Sequence, residues 1–143
     1  MHWAAKRGDR DILSVLYEYG SRFDIPSDSS PHLLPFHWAA GDGCIDALEF
    51  FLEHGQNINS QDTDGCSAAV IAAQYDQTNT LIYLAKHGAD LTLRDQNGDS
   101  CLHWAAYKGH REILEVVLYF VPNELNVTDQ FGQVSTSFLM KVR

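Results

Sequence analysis

Four tetrapeptides fall in one phase along this 143-residue chain: His2-Trp3-Ala4-Ala5, His37-Trp38-Ala39-Ala40, Val70-Ile71-Ala72-Ala73 and His103-Trp104-Ala105-Ala106, with steps of 35, 33 and 33 residues. Two sets of glycines keep the same beat. Gly20, Gly55 and Gly88 step by 35 and 33, and Gly65, Gly98 and Gly132 by 33 and 34. A period in this range marks stacked supersecondary units, each too small to cover its own apolar face. Ordering one unit costs roughly 1.5 kcal/mol per residue, so neighbouring copies must shield it.

The clearest copy runs from Asp95 to Leu118. Asp95, Asn97 and Gly98 read as a turn. Ser100 stands where a side-chain oxygen caps the first N–H groups of a short helix, whose packing stripe is Leu102, Ala105 and Ala106. Gly109 closes that helix. A second helix begins at Arg111, with Ile113, Leu114, Val117 and Leu118 on one face. This turn–helix–helix unit, its His-Trp-Ala-Ala signature and its 33-residue step resemble the ankyrin-repeat family over nearly the whole chain. The resemblance implies an all-α ankyrin-repeat solenoid of helix-turn-helix units joined by β-turn or hairpin loops. A single domain over 1–143 is expected, with units at about 1–26, 27–61, 62–94 and 95–128 and a partial fifth at 129–143.

Departures from the pattern locate the irregular places. The first unit lacks its own turn, which reads as a cut from a longer parent, the alternative being a degenerate cap. Its second helix is expected to bury Ile12, Leu13, Val15 and Leu16. Two extra residues lie within Phe23 to Leu34, a longer loop of the kind that often touches partners. Pro35 opens the next helix at a position that needs no N–H. In the third unit Val70 replaces the signature His and Asp76 the inter-helix Gly. Thr78, Asn79 and Thr80 weaken its outer helix, making it the softest expected unit. The fourth lacks a closing Gly, Val121-Pro122-Asn123 taking over the stop with an extra residue before Asn126. From Asp129 the pattern restarts, with Ser137 in the His slot.

Charge and composition bound the function. A formal charge of −9, from 19 acidic and 10 basic residues, disfavours nucleic acid and favours basic or neutral partners. No stretch approaches eighteen uninterrupted apolar residues, so membrane contact by this segment is not expected. Cys44, Cys66 and Cys101 fall at three different repeat phases without a C-x-x-C pair, which suits a reducing, cytoplasmic compartment. No H-E-x-x-H, G-x-S-x-G or Walker loop is present, so no catalytic residue, metal ligand or cofactor is expected. The histidines have a structural explanation. In ankyrin repeats the signature imidazole, here His2, His37 and His103, hydrogen-bonds neighbouring turn backbone; His54 and His87 recur where a helix ends, and a donor there suits the carbonyl terminus. His110 occupies the family's common Gly-His position.

The tryptophans invite a functional reading. Trp3, Trp38 and Trp104 share one slot, with Ile71 holding it in the third unit. In the ankyrin fold that slot projects onto the concave side or into the seam between units. Packed helices lie about 8–10 Å apart, so a four-membered ladder is expected, with Tyr75 and Tyr107 nearby. Exposed aromatic rings are typical binding hot spots; the structural alternative is a packed seam. The turn tips form a second surface: Ser27 to Ser30, Asn59 to Asp64, Arg94 to Asn97 and Asp129 to Phe131, with Asp64 and Asn97 as candidate contacts.

A narrower resemblance concerns D-Q-N-G-D-S-C-L-H-W-A-A-Y, which looks like the cytosolic ankyrin part of the D-H-H-C-type protein S-acyltransferases. That resemblance implies recruitment of substrates through short proline-bearing segments docking on Trp38 or Trp104. The Asn that accompanies the Trp there is replaced by Arg7, Asp42, Tyr75 and Lys108, and the family's catalytic cysteine motif and membrane helices are absent from these residues. The sequence thus leads to a protein-binding module for a protein or short linear peptide, itself no enzyme, with a monomer expected and its oligomeric state left open. Its parent is a membrane palmitoyltransferase or, alternatively, it is a free-standing adaptor or inhibitor.

Overall fold

The computed structural model describes residues 1–29 and 31–123. The expected Asn126, the Asp129 to Phe131 tip, Gly132, Ser137 and the partial fifth unit lie outside the described residues. Eight helices follow one another in pairs: α1 (His2–Arg7) and α2 (Arg10–Glu18), α3 (Pro35–Asp42) and α4 (Ile45–Glu53), α5 (Ala68–Gln74) and α6 (Thr78–Lys86), α7 (Cys101–Lys108) and α8 (Arg111–Phe120). Strand pairing among the described residues is limited to one isolated antiparallel bridge, Gln61 with Ser67.

The pairs stack in register, with α1, α3, α5 and α7 in one layer and α2, α4, α6 and α8 behind it. Side-chain size sorts the layers. The inner helices meet through buried alanines, Ala4-Ala5, Ala39-Ala40, Ala72-Ala73 and Ala105-Ala106. The outer helices bury larger residues, among them Leu48, Phe51, Leu81, Leu84, Ile113 and Val117. Narrow residues inside and wide ones behind favour a stack that is concave on the inner side.

Two recurring polar positions tie units to their neighbours, one at the start of an outer helix and one on an inner helix. The residue preceding each of the last three outer helices reaches back to the previous unit. Cys44 Sγ lies 3.1 Å from the Lys6 carbonyl, Gln77 Nε2 donates to the Gly41 carbonyl at 3.0 Å, and His110 Nδ1 meets the Ala73 carbonyl at 2.9 Å. Three different side chains thus serve one slot. Forward ties come from the signature histidines: His2 Nε2 to the Leu33 carbonyl and His37 Nε2 to the Ser60 carbonyl, both at 2.9 Å. The other ring nitrogen of His37 accepts the Leu34 N–H, as that of His103 accepts the Ser100 N–H, capping α3 and α7. Burial accordingly holds the His37 pKa below its usual value, against an opposing pull from the Ser60 carbonyl and Asp62.

At two outer-helix positions the structure departs from expectation. Leu13 is fully buried, but Ile12 is 46% and Val15 52% exposed. The equivalents of Ile12 in the later units, Ala47, Thr80 and Ile113, are at most 1% exposed. Outer helix α4 packs against the preceding α2 and α8 against the preceding α6, whereas among the described residues no outer helix precedes α2. Asp76, standing where the first, second and fourth units have glycine, takes φ 57° in the left-handed region.

Candidate functional site

The expected ladder of four side chains is divided. Trp3 and Trp38 meet edge to face with centroids 6.0 Å apart, the Lys6 ammonium sits 5.7 Å from each ring, and His2 abuts Trp38 at 5.6 Å. The run stops there because the third unit offers Ile71, which is buried. Trp104 has different partners: its Nε1 donates to Asp95 Oδ2 at 2.8 Å, and its ring meets that of the exposed Tyr107 edge to face at 6.2 Å. Trp38 has no such acceptor among the described residues, where its buried indole N–H is unpaired.

Five of the eight candidate residues do converge. Ile71, Tyr75 and Trp104 from the inner helices and Asp64 and Asn97 from the turn tips line one groove of about 440 Å³. Pro31 and Leu33 of the longer second-unit loop close its far side. Trp3 and Trp38 line a separate depression against Ile25 to Ser29, and Tyr107 flanks the main groove through Trp104 without lining it.

The turns of the groove are bonded to themselves and to each other. Asp62 Oδ1 accepts the N–H groups of Asp64 and Cys66 at 2.9 and 2.8 Å; one repeat later Asp95 Oδ1 accepts those of Asn97 and Asp99 at 2.9 and 3.0 Å. These aspartates hold the tips in shape. Across the units, the Gln96 N–H donates to the Asp64 carbonyl at 2.9 Å, and Gln61 Nε2 reaches the Arg94 carbonyl at 3.1 Å. Farther along, Asn59 Oδ1 accepts the Asp90 N–H. Such close approach requires Gly65: its φ is 79°, and a Cβ there would lie 3.0 Å from the Gln96 nitrogen.

Gln74 and Cys66, which lie outside the expected contact surfaces, also line the groove, as do Asp62, Asp95 and Gln96, which lie within the expected turn tips but are not singled out by the sequence. The available signal was an aspartate nine residues before Ile71 and Trp104. Their carboxylates set the local potential. Burial, with Asp62, Asp95 and Asp64 adding to it, pushes the Cys66 thiol up to about 12. Burial and Asp42 and Asp46 likewise raise Cys44. Both thiols are therefore poor nucleophiles at neutral pH. Among the described residues no group of three or more His, Cys, Asp or Glu side chains is placed to hold a metal ion, and no helix is long and apolar enough to cross a membrane.

Paired helices stacked through small inner residues, with tied turn tips above a concave groove, define a repeat solenoid of the recognition type. The family model for ankyrin repeats (3 copies) matches residues 1–62 and 36–130. The chain belongs to the ankyrin-repeat family, whose repeats are non-catalytic protein–protein interaction modules. Among curated relatives it is 34% identical over 125 residues to the probable E3 ubiquitin-protein ligase XBOS32 of Oryza sativa subsp. japonica, covering 86% of this chain and 25% of the relative. It is 28% identical over 136 residues to the E3 ubiquitin-protein ligase XBAT32 of Arabidopsis thaliana, covering 94% and 27%. The chain thus matches about a quarter of each relative's length. Neither is named as an S-acyltransferase, so the narrower resemblance finds no support in them.

Proposed function

We propose that this chain grips an extended segment of a partner protein in the groove between its third and fourth units. The observation that carries the reading is the convergence of Ile71, Tyr75 and Trp104 under the Asp64 and Asn97 tips. Aromatic walls beside polar, preorganised backbone are the usual make-up of a peptide anchor. The Trp3–Trp38 cluster serves the stack and takes no direct part in this reading. The relatives favour a role as the substrate-recruiting part of a ubiquitin ligase over the membrane palmitoyltransferase expected from the narrower resemblance. In either parent the module selects and other residues do the chemistry; a free-standing adaptor would use the same groove. The compartment that fits is the cytoplasm, where Cys44, Cys66 and Cys101 remain free thiols.

Affinity selection of a random peptide library on the purified chain, followed by amide-resonance mapping of the selected peptides, tests this. Shifts centred on Gly65, Asn97, Tyr75 and the Trp104 indole support the groove. Shifts centred on α2, α4 or the Trp3–Trp38 cluster refute it.

A further inference from the structure

Asp62 and Asp95 are the same residue of successive repeats, but only one has its second carboxylate oxygen engaged. Each uses Oδ1 for two turn N–H groups. Asp95 Oδ2 then accepts the indole N–H of Trp104, nine residues on. Nine residues after Asp62 stands Ile71, which has no donor to offer. Asp62 is half-buried and keeps Oδ2 without a hydrogen-bond donor among the described residues, at the wall of the groove. Asp64 is exposed on the same wall, and its side chain accepts no hydrogen bond from the described residues.

The groove's walls are electrically unbalanced. Asp62, Asp64 and Asp95 line it, and among the described residues no Lys, Arg or His does. The rise of the Cys66 thiol, to which all three carboxylates contribute, registers the same negative potential. Low-dielectric walls concentrate such a field, and a cation entering them is held more strongly than on an open surface. The apolar part of the lining suits the rest of a long basic side chain. Tyr75 is 65% exposed, and Trp104 opens part of its ring to the groove. Aromatic faces attract cations and cover aliphatic stems.

We propose that the groove takes an arginine or lysine side chain of an extended partner segment, its cationic head against Asp62 and Asp64 and its stem across Tyr75 and Trp104. The inference rests on the groove being the recognition surface and adds the chemistry of what enters it. A guanidinium fits best, since it bonds two oxygens at once and stacks on rings.

The test uses Nα-acetyl-arginine methylamide as probe and its uncharged isostere, Nα-acetyl-citrulline methylamide, as control, each titrated into the isotope-labelled chain. Arginine is expected to give saturable shifts at Gly65, Asn97 and the Trp104 indole, citrulline to give far weaker ones, and 0.5 M salt to weaken the arginine response. Asp62→Asn keeps an oxygen for the Asp64 and Cys66 N–H groups while removing the charge. It should weaken the probe about tenfold, as should Asp64→Asn to a lesser degree, whereas Glu18→Gln on α2 changes the net charge equally and should do nothing. Equal shifts with both probes, equal effects of Asp62→Asn and Glu18→Gln, or arginine shifts spread over α2 and α4 would overturn the proposal. Library peptides that map to the groove but lack Arg and Lys would overturn it too, and would leave the recognition reading standing.

Discussion

Trp38 and Trp104 occupy one slot in two repeats, yet their surroundings assign them different work. Trp38 is wedged between His2, Trp3 and the Lys6 ammonium, its indole N–H buried without an acceptor among the described residues. Trp104 is pinned by Asp95 and fronts a groove that no neighbouring ring fills. The difference teaches that a repeat signature specifies where a side chain leaves the backbone. The residues nine positions earlier and one repeat away decide whether it packs or presents itself.

Substitution can break that comparison at either end. The largest effect is expected at Trp38→Ala, which should lower stability by about 3 kcal/mol in denaturant titration and leave groove binding intact. Trp38→Phe should stay within about 1 kcal/mol of the parent, because it removes a buried donor that has no partner. A loss as large as that of the alanine variant would show that the indole nitrogen matters. Next comes Asp95→Asn. Its oxygen can still serve the Asn97 and Asp99 N–H groups, but its amide would face the Trp104 N–H donor to donor, at a cost of about 1–2 kcal/mol. Asp62→Asn, facing Ile71, should cost less than about 0.5 kcal/mol. Equal losses at the two aspartates would erase the asymmetry on which the groove's charge reading depends.

A smaller gain is expected at the turn between α5 and α6. Asp76→Gly relieves a left-handed residue at a position with φ 57° and should stabilise the third unit by about 1 kcal/mol. Hydrogen exchange of α5 and α6 reads this locally, and unchanged protection there would contradict it.

Much of the fold was legible because the repeat imposes the same physics several times over. Gly109 closing α7 in the left-handed region, Pro35 opening α3 and the imidazoles of His2 and His37 bonding turn carbonyls all follow from residue type and phase. Ile12 and Val15 were misjudged because helical periodicity reports which face is apolar, and only the neighbouring unit decides whether that face is covered. The groove was half legible. Its aromatic and turn-tip residues announce themselves by slot, but Asp62 and Asp95 read as ordinary turn aspartates until Trp104 and Ile71 are seen opposite them. Along the shared slot, ring-on-ring contact joins Trp3 and Trp38, the buried Ile71 follows in the third unit, and the Trp104 indole bonds Asp95, a partner that slot position alone does not reveal.

The most direct test of groove recognition is calorimetric titration of a library-selected peptide into Trp104→Ala beside the parent chain, with melting temperatures recorded for both. Affinity should fall by about 2 kcal/mol, roughly thirtyfold, with less loss of stability than Trp38→Ala suffers. Unchanged affinity accompanied by a large drop in melting temperature would make Trp104 a packing residue like Trp38 and contradict the account.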